Sequence, residues 1–302
     1  VVIGSSNTDL VIRVPRIPRP GETLLGGTFL SAAGGKGANQ AVGAARSGGQ
    51  VALIARVGDD AFGDQAIAGL RRDGIDVSQV IRDRHAASGA AMIFVARDGE
   101  NSIAVAGGAN ANLSPADVKR AAGLIRSSAL LIAQLETPLA TVMEAAQVAA
   151  KAGVQVLLNP APARSLPNPL LRLISILTPN ETEAEHLTGI RVTDDASAAR
   201  VCAKLRARGV GTVILTLGAR GAFLATAGGH ERVPGFKVRA VDSTAAGDIF
   251  NGALGVALTE RKPLRDAVRF ANAAAALSVT RLGAQPSAPT RGEIDRFLRR
   301  NR

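Results

Sequence analysis

Residues 130–158 read LLIAQLETPLATVMEAAQVAAKAGVQVLL. The run Leu130–Leu135 is apolar apart from Gln134, as expected of a strand covered on both faces. Leu139–Ala152 carries apolar residues at helical spacing, and Gly153 stands where such a helix stops. Val154–Leu158 is apolar again. Strand, helix and strand in such close succession make a βαβ unit, with parallel strands and a right-handed crossover.

The same alternation extends outward in both directions. Further strands are predicted over Val1–Gly4, Val51–Val57, Ile174–Thr178, Val213–Thr216 and Ala222–Ala225. Further helices are predicted over Ala38–Ser47, Ala61–Asp73, Pro115–Ile125, Glu181–Leu187, Ser197–Arg208, Gly247–Thr259, Leu264–Thr280 and Arg291–Arg299. Ser114-Pro-Ala-Asp117 is a capping-box-like start with Pro at the first helical position, and Gly209 marks a helix end. The implied fold is α/β: a three-layer αβα arrangement around a mostly parallel central sheet.

Two stretches break the rhythm. Leu10–Leu30 carries Pro15, Pro18 and Pro20 before a short alternating run. Ala90–Ala106 reads strand, then Arg97-Asp98-Gly99-Glu100, then strand, and Asp-Gly between apolar alternations signals a hairpin. Both read as antiparallel pieces forming a small second sheet. No linker separates them from the rest, so the expectation is one domain over residues 1–302, with lid segments inserted at approximately 10–30 and 89–107.

Composition narrows the function. The 302 residues include 36 Lys and Arg against 25 Asp and Glu, a net charge of +11, which calls for an anionic partner. The charge is dispersed, mostly as Arg along helices and densest at Arg296, Arg299, Arg300 and Arg302. It reads as a solvated surface and not a nucleic-acid face. Trp and Tyr are absent, which argues against a base-stacking platform. Cys202 is alone, so no intramolecular disulfide forms. His85, His186 and His230 lack metal-ligand spacing. No apolar run reaches membrane-span length, and Val-Val-Ile-Gly at the start reads as a strand, not a signal peptide. The expectation is a cytoplasmic protein that binds neither membrane nor nucleic acid.

Several polar motifs fall just after strands, where open parallel sheets bind ligands. In Asp242-Ser-Thr-Ala-Ala-Gly247-Asp248, small residues open a helix, so free N–H groups converge as an anion hole. Asp248 in the first turn can take a proton from an attacking hydroxyl; alternatively it merely caps the helix. Gly34-Gly35-Lys36-Gly37-Ala38-Asn39 leads into a helix and is neither a Walker A loop nor Gly-x-Gly-x-x-Gly. Its glycines allow a ligand to approach the backbone, or simply make a tight turn. Asn7-Thr8-Asp9 and Gln134-Leu-Glu136 place carboxylates for adjacent hydroxyls, although Asn7–Asp9 also suits an Asx turn. Asn180-Glu-Thr-Glu183 either holds Mg²⁺ through waters or forms an N-cap with its capping-box partner. Thr216-Leu-Gly218-Ala-Arg-Gly221 lets a nucleotide lie close to backbone, or is a turn.

Together these motifs resemble the ribokinase/PfkB-type carbohydrate kinase family. The likeness also takes in Gly4-Ser-Ser-Asn-Thr-Asp9, Leu158-Asn-Pro-Ala-Pro-Ala-Arg164, Thr178-Pro-Asn-Glu-Thr-Glu183 and Val279-Thr-Arg-Leu-Gly-Ala-Gln-Pro-Ser287, and so covers nearly the whole chain. It implies transfer of the ATP γ-phosphate to a sugar's primary hydroxyl, with a β lid that also forms a homodimer contact. Asp248 looks like the base, and Ala246 and Gly247 like the anion-hole amides. Asn7, Asp9, Gly35, Lys36, Asn39 and Glu136 look like sugar contacts. Asn180, Thr216, Gly218, Gly221 and Asn272 look like nucleotide contacts, and Glu183 serves Mg²⁺. A monovalent cation, usually K⁺, is implied near Asp242, Thr244, Ser278, Arg281, Gly283 and Ser287, several acting through carbonyls. Asn7 with Asp9 points to vicinal hydroxyls and so to the 5-hydroxyl of D-ribose as acceptor. Deoxyribose, fructose, a keto-deoxy acid or a nucleoside are alternatives, as is a non-catalytic sensor. Ala245 stands where the family often has Gly, Ile249 where a small residue is common, Asn272 where His is frequent and Ser278 where Ala is common.

Overall fold

The 130–158 unit folds as its sequence predicts: a strand at Leu130–Ala133, a helix at Leu139–Lys151 and a parallel strand at Gln155–Leu158. The computed structural model describes residues 1–98 and 100–301. Gly99, in the predicted Asp-Gly hairpin, and Arg302, in the basic tail, lie outside the described residues.

In chain order, the central sheet is built from β1 (Val2–Ile3), β4 (Leu53–Gly58), β5 (Val80–Asp83), β8 (Leu130–Ala133), β9 (Gln155–Leu158), β10 (Ile176–Leu177), β11 (Thr212–Thr216), β12 (Ala222–Thr226) and β13 (Gly229–Val233). Their spatial order is β13-β12-β11-β10-β9-β8-β1-β4-β5. All neighbours are parallel except the β11–β12 and β12–β13 pairs. Strand order reverses at β1, which lies between β4 and β8.

Alternate residues along each strand face opposite helix layers, because side chains in a strand have period two. Ile3, Leu131, Ala133, Val156 and Leu158 pack with α5 (Leu139–Lys151), α7 (Glu181–Thr188) and α8 (Asp195–Ala207). Val2, Leu130, Ile132 and Leu157 pack with α1 (Lys36–Arg46), α2 (Ala61–Arg72), α9 (Ala246–Thr259), α10 (Leu264–Ser278) and α11 (Arg291–Arg300). Two apolar layers sandwich the sheet, the three-layer fold read from the sequence. Cys202 is buried in the first layer, and burial pushes its thiol up to about 12.

Four segments form a separate sheet: β2 (Asn7–Arg13), β3 (Thr28–Gly34), β6 (Gly89–Val95) and β7 (Asn101–Ala106), ordered β3-β2-β6-β7. The two outer pairs are antiparallel, as expected, but β2 and β6 pair in parallel and join the two halves. Within Leu10–Leu30 only the ends are extended; residues 14–27, which hold the three prolines, are not strand, since proline cannot sustain a ladder.

Other boundaries shift. Pro115–Ile125 is not one helix but two, α3 (Pro115–Arg120) and α4 (Ala122–Ser127), meeting at Ala121. Strands β5 and β13 and the short α6 (Asn168–Leu171) have no counterpart in the sequence reading. Ser114 makes the expected capping box with Asp117, and Gly153 and Gly209 adopt positive φ after their helices. No described helix is long and apolar enough to cross a membrane.

Candidate active site

The site forms beyond the carboxyl ends of β1, β8, β9 and β10, where the reversal of strand order opens a crevice. The chain turns from β1 through Gly4–Ser6 straight into β2, so Asn7 and Asp9 lie on a strand, not in an Asx turn. Helix α1 starts at Lys36, two residues before the predicted Ala38, because Gly35 at φ +86° turns the chain early.

The glycines of this loop are required by the protein's own packing. A β-carbon on Gly35 would stand 2.6 Å from the Asn7 nitrogen. One on Gly37 would stand 2.6 Å from the Gly4 carbonyl carbon and the Ser5 nitrogen. The loop is thereby pressed against the β1–β2 turn, which gives these glycines a structural reason beyond ligand approach.

That contact gathers the polar shelf. Glu136, just past β8, accepts from the Ser5 hydroxyl and from the Lys36 N–H at 3.0 Å. Asn39 donates to Asp248 Oδ2 at 3.2 Å, while its own Oδ1 is buried without a partner among the described residues. An orphaned acceptor beside a carboxylate suits a ligand hydroxyl, which can donate. Burial first, then the charges of Glu136 and Asp248, push Asp9 up to about 6 against the pull of Lys36. Burial alone would lower Lys36, but Asp248, Glu136, Glu183 and Asp9 surround it and leave it raised. Asp9, Lys36, Asn39, Glu136 and Asp248 therefore form one interacting polar cluster.

Asp248 is 4% exposed, in the first turn of α9. Helices α1 and α9 cross closely: a β-carbon on Gly252 would meet the Ala44 nitrogen and the Gln40 oxygen at 2.5 Å. This crossing brings Asp248 against Asn39 and Gln40. Burial raises Asp248, opposed by Lys36, Gln40 and Asn39 and reinforced by Glu136. Loss of hydration is the largest influence, and Lys36 with the hydrogen bonds from Gln40 and Asn39 offsets only part of it.

Ahead of Asp248, Ala245 holds φ +58°, a left-handed conformation uncommon for a residue with a β-carbon. The Ala246 N–H donates to the Ser243 carbonyl at 3.2 Å, so it is not free in the way the sequence reading expected. The amides of Gly247 and Asp248 remain as first-turn donors. A β-carbon on Gly247 would meet nothing within 4 Å, and Gly247 and Ala246 line a cleft of about 630 Å³.

All the predicted nucleotide residues, Asn180, Thr216, Gly218, Gly221 and Asn272, line this same cleft. Gly218 and Gly221 lie in and just after a 3₁₀ turn joining β11 to its antiparallel neighbour. The Asn272 amide donates to the Val233 and Pro234 carbonyls, fixing the far wall. Val238, Ala276 and Val279 supply apolar wall that the sequence reading missed, since isolated aliphatics carry no motif. Asn180 and Glu183 form the capping box: Asn180 Oδ1 accepts from the Glu183 N–H at 2.8 Å, and the Glu183 carboxylate accepts from the Asn180 N–H at 2.9 Å. Burial raises Glu183, countered by the Asn180 N–H and by Lys36, with Asp248 adding to the rise, so its carboxylate also senses the polar cluster around Asp248.

The residues named for a monovalent cation form two adjoining loops. Asp242 accepts from the Thr244 N–H and hydroxyl and from the Gly283 N–H at 2.8 Å, and Val241 donates to the Val279 carbonyl. Ser278 and Ser287 turn their hydroxyls onto the Ala275 and Ala284 carbonyls, and Arg281 pairs with Glu293. Arg281 can offer an ion only its main-chain oxygen, whereas the two serines keep hydroxyl lone pairs as well as their carbonyls. The donor set, carbonyls with one carboxylate, fits a hard monovalent cation.

Two second-layer residues were missed. Asn110, within Gly108–Asn112, donates to Asn7 Oδ1 at 2.7 Å and to the Ser6 carbonyl, and accepts from the Ser6 N–H. Gln40 donates to Asp248 Oδ1 at 2.9 Å. Asn110 carried no signal; Gln40 ends the 34–40 stretch that carries the family resemblance, but no role was read for it.

The profile of pfkB family carbohydrate kinases matches residues 1–291. A ribokinase of Haemophilus influenzae is 49% identical over 297 residues, covering 98% of this chain and 97% of that protein. A deoxyribokinase of Salmonella typhi is 39% identical over 301 residues, covering 99% and 98%. The structure of Arabidopsis thaliana ribokinase complexed with ribose and ATP superposes with a TM-score of 0.94 at 34% identity, covering 98% of this chain and 97% of that one.

Proposed function

Because the chain belongs to the pfkB family of carbohydrate kinases, we propose that it transfers the γ-phosphate of ATP to the 5-hydroxyl of D-ribose, giving D-ribose 5-phosphate and ADP. One observation carries this reading: the buried carboxylate of Asp248 stands at a helix start, between the polar shelf of Asn39 and Glu136 and the 630 Å³ cleft.

Asn7, Asp9, Gly35, Lys36, Asn39 and Glu136 hold the sugar. Asp248 Oδ2 takes the proton of the 5-hydroxyl as its oxygen bonds to the γ-phosphorus and the bond to ADP breaks. The amides of Gly247 and Ala246 stabilise the charge on the transferring group; the weak Ser243 contact yields when an anion competes for the Ala246 N–H. Asn180, Thr216, Gly218, Gly221 and Asn272 hold the nucleotide. Glu183, whose carboxylate keeps lone pairs beyond the capping box, would hold Mg²⁺, which would offset charge on the ATP phosphates. The 242–244 and 278–287 loops would hold K⁺, which would add positive charge to the phosphate-binding region.

The small sheet closes over the sugar and excludes water. It also pairs with a second copy, a homodimer supported by Leu30, Ile103 and Val105, exposed at 45%, 56% and 60% on one face of the small sheet. The enzyme works in the cytoplasm on this reading, with no membrane or nucleic-acid partner. Deoxyribose is the second candidate acceptor, favoured by the deoxyribokinase likeness. The test is coupled ADP release with ribose, deoxyribose and fructose, with and without K⁺. The proposal expects the highest kcat/KM with ribose and stimulation by K⁺; turnover favouring deoxyribose, or none with any sugar, overturns it.

A further inference from the structure

We infer that Gln40 is a positioning residue for Asp248, holding one carboxylate oxygen so that only the other accepts the substrate proton, and that Gln134 fixes Gln40 in the orientation this requires. The inference rests on the kinase reading above, in which Asp248 is the base.

Gln40 is wholly inaccessible and Gln134 nearly so. Gln40 Nε2 donates to Asp248 Oδ1 at 2.9 Å and to Asn159 Oδ1 at 3.1 Å, and Gln40 Oε1 accepts from Gln134 Nε2 at 2.7 Å. Asn159 Nδ2 in turn donates to the Thr178 carbonyl at 3.2 Å.

The direction of every bond follows from donor chemistry. A main-chain carbonyl only accepts, so Asn159 must turn its NH₂ to Thr178 and its oxygen to Gln40. An ionised carboxylate also only accepts. Two acceptors from different elements therefore demand the NH₂ of Gln40, and its oxygen must find a donor, which Gln134 supplies. Turning any one amide over would set oxygen against oxygen in a dry interior.

The consequence reaches the chemistry. Asp248 Oδ1 is engaged by Gln40, whereas Oδ2 has only the longer Asn39 contact at 3.2 Å. Oδ2 is thus the oxygen left for the sugar hydroxyl. The same frame anchors the anion hole: the Thr178 hydroxyl donates to Asn251 Oδ1 at 2.6 Å, and Asn251 Nδ2 donates to the Gly247 carbonyl at 2.7 Å. Base and phosphate-facing peptide share one support, as a site that must hold its geometry requires.

The charged groups facing Asp248 are Lys36 on α1 and Glu136 beyond β8, with Asp9 on β2 and Glu183 on α7 in the same cluster. None of them is altered by changing Gln40 or Gln134, so a pH profile isolates the amide chain.

The test compares Gln40→Met and Gln134→Glu with the parent enzyme in kcat, ribose KM, the pH profile of kcat/KM and thermal melting. Gln40→Met keeps volume but loses the donor. Its kcat should fall about ten- to a hundredfold, the loss expected for one hydrogen bond to a charged group. Its ribose KM should stay within about threefold, and its acid limb should move to higher pH. Gln134→Glu should work while the introduced carboxyl is protonated and donating to Gln40, then lose activity as it ionises, a new alkaline limb that simple loss of packing would not create. A Gln40→Met acid limb coincident with the parent's overturns the inference. Should Gln40→Met fail to fold, Gln134→Glu decides, and the absence of a new alkaline limb overturns it. Asp248→Asn separates the two levels: retained turnover defeats the base assignment itself, whereas an inactive Asp248→Asn beside an unshifted Gln40→Met defeats only this inference.

Discussion

The carboxylate of Asp9 occupies the space a β-carbon on Gly34 would need: that carbon would stand 2.4 Å and 2.5 Å from its two oxygens. Moving the tip of a side chain costs the fold little, but here the tip is the group proposed to grip the sugar. Gly34→Ala should therefore keep a melting temperature within a few degrees of the parent (about 1 kcal/mol) while raising the ribose KM roughly tenfold or more. Isothermal titration with ribose and a thermal melt check both halves; an unchanged ribose affinity would count against Asp9 as a sugar contact.

Asp9 also links function to stability. Its folded pKa, about 6, lies above the ordinary aspartate value of 3.8, so the folded state binds the proton more tightly than the unfolded chain does. The stability this contributes is full below about pH 3.8, fades as pH rises through about 6, and is absent at pH 8, where the buried charge is a cost. Asp9→Asn should melt higher than the parent at pH 8, lose that advantage by pH 4, and bind ribose poorly throughout. Melting curves across this range test the sign, and an advantage growing toward low pH would refute it.

Gly247 faces open space and lies within a helix, so alanine there should preserve or slightly raise stability, by up to about 1 kcal/mol. The added methyl would project into the space assigned to the transferring phosphate. Gly247→Ala is expected to lose turnover by at least about a hundredfold, while Ser243→Ala, one turn away, is not. Steady-state rates beside denaturant midpoints decide it.

Asp242 ties the 242–244 loop to Gly283 through its two carboxylate oxygens. Asp242→Ala should abolish the rate increase on adding K⁺ while leaving the low rate without K⁺ largely in place. A full K⁺ response in this variant would remove the loops from the cation assignment.

The exposed apolar face gives the last expectation. Charges at Ile103 and Val105, which share one face of β7, as Ile103→Glu with Val105→Glu, should convert a dimer to a monomer in light scattering without unfolding it. A monomer in the parent chain would dispose of the pairing proposed for the small sheet.

The site was legible where it rests on local chemistry. Asp248 beside a run of small residues, the capping box of Asn180 and Glu183, and the glycines of 34–37 all show in a few consecutive letters. The support of Asp248 was not legible, because Gln40, Gln134 and Asn159 lie far apart in the chain and meet only where α1 crosses α9 over the sheet. Nor did the sequence reveal that Gly35 and Gly37 answer to the backbone of residues 4–7, since close packing between distant segments leaves no local pattern.

Hydrophobic periodicity and helix-end chemistry act over a turn or a strand, so the sequence alone determined the alternating elements, the layered fold and the polar motifs from which the reaction is proposed. Which glycine yields to which backbone, which amide faces which oxygen, and how β2 pairs with β6 depend on contacts between segments tens of residues apart, and those were settled only when the chain closed on itself.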